Sequence, residues 1–180
     1  WLHLGQKVGN MNVVSETLFF DDVRHFGDFS IFFSTGELNT YLSAHVGPDL
    51  LQDEITPEVW TRILRNKRIA KKPICELLLE QERISGIGNY LRCEILYRAR
   101  INPFRPLSSL TDEEVERLRQ ISLTTIKEAY QARGATLQTY VDMEGKKGNF
   151  QVEVYGRDKD PAGNLVSHAE DKKKRTVWWV

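Results

Sequence analysis

The chain is 180 residues long and carries no net charge at neutral pH, since 25 lysines and arginines balance 25 aspartates and glutamates. A hydrophobic content of 41% supports a packed core and excludes general disorder. With only two cysteines, Cys75 and Cys93, a disulfide framework and a four-cysteine zinc site are excluded, and no apolar run of roughly 18 residues offers a membrane-spanning helix.

In chain order, residues 12–20 and 29–33 are β-branched and aromatic and read as strands. Thr35-Gly36-Glu37 reads as a turn and Leu38 to Leu42 as a further strand, before Gly47-Pro48-Asp49 breaks the pattern. Helices follow. Thr56 before Pro57 is an N-cap with proline at the first helical position, opening a helix that runs to about Asn66. Pro73 opens a second helix, and a third starts near Gly88 with Ile87, Leu91 and Ile95 aligned. Thr111-Asp112-Glu113-Glu114 is a capping box for a long helix whose Val115, Leu118, Ile126 and Ala129 share a face, and Arg133-Gly134 ends it. Phe150 to Tyr155 alternates like a strand, 156–164 is turn-rich, and Leu165-Val166-Ser167 is placed to pair with Thr176 to Val180 in a β-hairpin. The fold class expected is α+β.

Charge is unevenly spread. Residues 1–56 hold two basic and eight acidic side chains, so residues 57–180 hold the other 23 basic and 17 acidic ones. Arg62, Arg65, Lys67, Arg68, Lys71 and Lys72 follow one another without an acid among them, and Lys172-Lys173-Lys174-Arg175 lies near the end. That asymmetry points to a polyanion as partner of the second part. Both cysteines sit in apolar helical contexts and read as buried free thiols, which fits a reducing, intracellular compartment; no secretory signal is visible.

The most informative stretch runs from Ser85-Gly86-Ile87-Gly88-Asn89-Tyr90 to Glu94 and on to Ile101-Asn102-Pro103. It reads as a glycine turn that opens a helix. N–H groups at a helix start make an anion site, and Asn89 adds a side-chain amide there. Such a site grips a nucleic-acid backbone without reading bases.

Together, Leu78-Leu79-Glu80-Gln81, Ser85 to Tyr90, Glu94-Ile95-Leu96-Tyr97-Arg98-Ala99 and Asn102-Pro103 resemble the helix–two-turn–helix motif of the formamidopyrimidine-DNA glycosylase / endonuclease VIII family of base-excision repair enzymes. His3-Leu4-Gly5, Asp22 to Gly27, Leu137 to Val141, Phe150-Gln151 and Val154-Tyr155-Gly156-Arg157 match further family strings in the same order. The resemblance implies the C-terminal part of a β-sandwich over 1–50, a helical helix–two-turn–helix domain over 51–147 and a zincless β-hairpin finger over 148–180. It also implies a DNA glycosylase with apurinic/apyrimidinic lyase activity on oxidised bases. The partner would be damaged double-stranded DNA, bound by a monomer without cofactor, metal or membrane.

The family's attacking amine and its acid/base glutamate belong to an N-terminal start to which no residue here corresponds. Trp1-Leu2-His3-Leu4-Gly5 reads as mid-strand, so a leader is expected ahead of it and no catalytic residue is assigned. Carried over are grip and wedge. His3, Asn89 and Arg175 match phosphate-contacting positions. Arg24 and Phe26 match residues that fill the void left by the flipped base, while Gln6 stands where relatives often have a methionine wedge. Glu94 matches a helix glutamate and reads as structural, bonding turn amides; Cys75 stands where many members have lysine. The finger is commonly a four-cysteine zinc module, but this tail has no cysteine, so packing by Tyr155, Trp178 and Trp179 would replace the metal. Two other readings are a non-catalytic lesion or bent-DNA binding module of the same fold, and a ribosomal or topoisomerase-type helix–two-turn–helix protein.

Overall fold

The computed structural model describes residues 2–8, 11–18, 30–136 and 148–180, the first two stretches by their backbone. The chain divides into two compact units, Trp1–Leu38 and Asn39–Val180. In the first, β1 (Leu2–Val8) pairs antiparallel with β2 (Met11–Leu18). His3 lies opposite Thr17 and Gln6 opposite Val13, with a register shift between Leu4 and Gly5. The strand expected over 12–20 is present over its described residues, to Leu18, and Phe19 and Phe20 lie outside the described residues.

The strand expected over 38–42 gives way to a helix, α1 (Thr35–His45). The Ser34 hydroxyl accepts the N–H of Glu37 at 3.2 Å, and the Glu37 carboxylate accepts the N–H of Phe33 at 3.1 Å. This reciprocal cap turns Ser34-Thr35-Gly36-Glu37 into a helix start. It overturns the turn at 35–37 and the strand at 38–42, and residues 30–33 form no strand. Phe29 lies outside the described residues.

The helices of the second unit follow from their caps. Thr56 accepts from the N–H of Val59 and Pro57 opens α2 (Pro57–Leu64). Pro73 precedes the short α3 (Ile74–Leu77), and Gly88 precedes α4 (Asn89–Arg98). Thr111 and Glu114 complete the capping box of α5 (Asp112–Gln131). Positive φ at Arg133 and Gly134 ends the run after α5. The core lies among these helices: Trp60, Leu64, Ile74, Leu77, Leu78, Ile95, Leu96 and Leu118 are fully buried. The Trp60 indole N–H donates to the carbonyl of Val115 at 3.0 Å, tying α2 to α5 and satisfying a polar atom deep in the core.

The closing segment contains β3 (Ser167–Glu170) and β4 (Thr176–Trp179), an antiparallel hairpin with Ser167 opposite Trp179 and Glu170 opposite Thr176. The expected hairpin is therefore present, with its first strand shifted later along the chain. The strand expected at 150–155 is absent. Phe150, Val152 and Val154 are buried in alternation, as in a strand, but the N–H groups of Glu153, Val154 and Tyr155 go to the Glu94 carboxylate instead of a ladder. No helix among the described residues is long and apolar enough to cross a membrane.

Candidate nucleic-acid interface

The site is built where α4 begins and the hairpin folds back on it. Gly86 has φ of 93°, a left-handed conformation that glycine adopts without strain. Its N–H donates to the Gln81 side chain, whose amide in turn donates to the carbonyl of Ile87 at 3.0 Å, so the two-turn loop is held from within. Gly88 is the N-cap of α4 in extended conformation, with no side-chain cap. A Cβ there would meet no protein atom within 4 Å, so the approach to the helix start is open. The first N–H groups of a helix lack intrahelical partners and carry partial positive charge, which suits an anion.

Asn89 is the first residue of α4. Its amide donates to the carbonyl of Thr176 at 3.1 Å, while its Oδ1 is buried with no hydrogen-bond partner. One residue before Thr176, Arg175 is about two-fifths exposed, and its Nε lies 3.8 Å from Asp171, outside hydrogen-bonding range. The structure thus brings Asn89 and Arg175 to one junction. Lys172, Lys173 and Lys174 stand exposed on the same loop, and among the described residues only Lys172 of the three approaches an acid, Glu76, at 3.9 Å. A small cavity of about 160 Å³ beside the loop is lined by Lys72, Glu76, Glu80, Lys172, Lys173 and Arg175.

The hairpin loop is organised by Asp171. The Lys174 N–H donates to the Asp171 carbonyl at 2.9 Å, closing a β-turn, and Lys174 then takes φ of 56°. Asp171 Oδ1 accepts the N–H groups of Lys173 and Arg175 at 2.9 and 3.0 Å, an Asx turn. Asp171 Oδ2 receives Arg92 Nη1 at 2.6 Å; both side chains are almost wholly buried. Arg92 also donates to the carbonyls of Cys75 and Arg175. Burial alone would push the Asp171 carboxyl up, but the Arg175 N–H and the Arg92 guanidinium outweigh it and hold it below the ordinary aspartate range. Neither Arg92 nor Asp171 was legible as a site residue in the sequence. The signals were an arginine between Leu91 and Cys93 on a helix with apolar neighbours, and one acid heading a run of lysines.

Aromatic packing completes the junction. Tyr155 and Trp178 rings lie 4.4 Å apart, Phe104 meets Trp179 edge-on at 5.1 Å, and Val177 is fully buried. The Trp178 N–H points at the Cys93 sulfur at 3.5 Å. Cys75 and Cys93 are free and buried, and burial pushes both thiols up to about 11. Glu94 takes the amide-binding role expected of it, with the backbone N–H groups of 153–155 as partners. His3 and Gln6 lie on β1, whose backbone alone is described, and Arg24, Phe26 and the string 137–141 lie outside the described residues.

Residues 46–141, more than half of the chain, match the formamidopyrimidine-DNA glycosylase H2TH domain. The chain belongs to the formamidopyrimidine-DNA glycosylase family. It is 36% identical over 146 residues to formamidopyrimidine-DNA glycosylase of Bacillus cereus, covering 80% of this chain and 52% of that protein. Over 143 residues it is 39% identical to the enzyme of the same name from Brevibacillus brevis, covering 78% and 50%. Among solved structures it resembles MutM (Fpg) of Thermus thermophilus, with a TM-score of 0.68 and 35% identity over 76% of this chain and 52% of that one. The fold is also that of Lactococcus lactis Fpg, solved in complex with abasic-site DNA: TM-score 0.69, 24% identity, 79% of this chain and 53% of that one. The chain spans about half the length of the relatives it matches. In this chain, the β3–β4 hairpin that packs on α4 contains no cysteine.

Proposed function

We propose that this chain is the DNA-gripping part of a DNA glycosylase with apurinic/apyrimidinic lyase activity, acting on oxidised bases in base-excision repair. The observation that carries the reading is the bond from Asn89 to Thr176, which sets the open start of α4 beside Arg175. A helix N-terminus and an arginine side by side form a clamp for phosphates of a duplex. Family membership and the relatives' names supply the substrate class. In this reading 51–147 is the helix–two-turn–helix domain and 148–180 a zincless finger. His3 adds a phosphate contact, and Arg24 and Phe26 fill the void behind a flipped base. No cofactor is needed. The family's attacking amine and acid/base carboxylate have no assigned counterpart among the residues given.

Binding and trapping test this together. The chain should bind duplex bearing an abasic analogue more tightly than intact duplex, by fluorescence anisotropy. Borohydride should trap no covalent product with this chain and should trap one when the family's N-terminal start is supplied. Equal binding to both duplexes would sink the lesion-gripping role. Efficient trapping by these 180 residues would place the nucleophile among their lysines.

A further inference from the structure

At the hairpin loop two arginines compete for one carboxylate. Asp171 Oδ2 is 2.6 Å from Arg92 Nη1 and 3.8 Å from Arg175 Nε. Arg92 is fully buried and cannot itself reach a ligand, whereas Arg175 is partly exposed. Asp171 Oδ1 is already committed to two backbone N–H groups of the loop. Were Arg92 absent, the freed Oδ2 would have Arg175 as its nearest cation among those described. A small rotation would shorten that 3.8 Å ion pair to a hydrogen-bonded carboxylate–guanidinium pair, and such pairs are strong where solvent is scarce. Arg175 would then be neutralised and turned inward.

We infer that Arg92 is a positioning residue for phosphate binding: by occupying Asp171 it keeps that carboxylate from capturing Arg175, whose exposed charge is left for a phosphate. Two features support this division of labour. The Arg175 side chain is 40% exposed, and its contact with Asp171, at 3.8 Å, is too long for a hydrogen bond. Arg92 reaches the carbonyl of Arg175 as well as Asp171, so it fixes the backbone of the residue whose side chain it frees. The inference rests on the reading of Arg175 as a phosphate ligand.

The test compares this chain with Arg175→Ala, Arg92→Met and Arg92→Met/Asp171→Asn. Each is titrated with abasic-analogue duplex over a series of potassium chloride concentrations, with near-ultraviolet circular dichroism reporting the packing of Trp178 and Trp179. One lost phosphate contact lowers the slope of log K against log salt by about 0.9. Arg175→Ala and Arg92→Met should each lose about that much. The double variant, with no carboxylate left to capture Arg175 and an asparagine Oδ1 still available to the loop amides, should keep the natural slope. A natural slope for Arg92→Met, or the same loss in the double variant, overturns the inference and leaves Arg92 as a plain structural strut. A natural slope for Arg175→Ala overturns the phosphate clamp itself, and the inference with it. If Arg92→Met does not fold, the double variant decides alone: the natural slope supports the inference, and the slope of Arg175→Ala overturns it.

Discussion

Asn89, at the start of α4, donates its side-chain amide to the carbonyl of Thr176, at the start of β4, 87 residues further along the chain. One bond therefore joins the helix–two-turn–helix to the hairpin at the point where both present groups suited to phosphate. The expected consequence is that neither half of the clamp works independently. Arg175→Ala and Asn89→Ala should each weaken binding to abasic-analogue duplex by about 1–3 kcal/mol, the range for charge-assisted and buried hydrogen bonds. The Asn89 variant also removes one tie between α4 and the strand next to Arg175, so its loss should be smaller in an Arg175→Ala background than in the natural chain. Unchanged affinity for both single variants at moderate salt would remove the clamp.

The junction should also be acid-sensitive. Burial raises the Asp171 carboxyl, and the Arg175 N–H and Arg92 more than reverse that, so its folded value lies below the ordinary one. A depressed carboxylate gives stability that is fully present above its unfolded value, about 3.9, and is lost as pH falls through the folded value. The methyl resonances of Val177, fully buried in β4, should hold their native shifts at pH 5 and collapse well below pH 4. Collapse between pH 5 and 7 would show that the Arg92–Asp171 pair does not hold the hairpin.

Much of the helical part was legible because its signals are local. Thr56-Pro57 and Thr111 to Glu114 set helix starts within a few residues, and both caps form as read. The same local logic was present at Ser34 to Glu37, where Gly36 and the aromatic run before it favoured a turn and strands; the reciprocal cap decides for a helix. Phe150 to Tyr155 shows the limit of periodicity. Alternating burial is real there, but hydrogen bonding is set by Glu94, some 60 residues earlier. The Arg92–Asp171 pair spans 79 residues, and no short-range pattern in either segment announces it.

A finger without metal should ignore chelators. The tail packs Val177, Trp178 and Trp179 against α4 and its surroundings and pins its loop through Asp171. Zinc-dependent modules of this size unfold when the metal is removed. Here, prolonged dialysis against a strong chelator should leave the melting temperature and the near-ultraviolet spectrum unchanged, and elemental analysis should find no stoichiometric zinc. A lower melting temperature that zinc restores would overturn the zincless reading.

Cys75 and Cys93 should be inert. Burial pushes both thiols up to about 11, and the thiolate is the reactive form. Modification by a thiol-reactive disulfide reagent at neutral pH should be slow in the folded chain and immediate in denaturant, with two thiols released. Rapid reaction of either thiol in the native protein would mean that the junction of α4 with β4 opens, since Cys93 lies under the N–H of Trp178.

The sharpest stability test is Glu94. Its carboxylate is fully buried and accepts three successive backbone N–H groups, those of Glu153, Val154 and Tyr155, at 2.7, 3.1 and 2.9 Å. Those amides have no ladder partner, because residues 150–155 form no strand. Glu94→Ala would leave all three without their acceptor in a segment whose Val152 and Val154 are buried. An unsatisfied buried donor costs about 1–3 kcal/mol, so the expected loss is about 3 kcal/mol or more. Glu94→Gln keeps one acceptor oxygen of the same shape but places an NH₂ group against at least one of the N–H donors. Its loss should be substantial but smaller than that of alanine. Urea denaturation followed by circular dichroism measures both, with the denaturant slope checked for constancy. An alanine variant within about 1 kcal/mol of the natural chain would mean that water or a rearranged backbone satisfies the 153–155 amides, and that Glu94 is not what holds this segment in place.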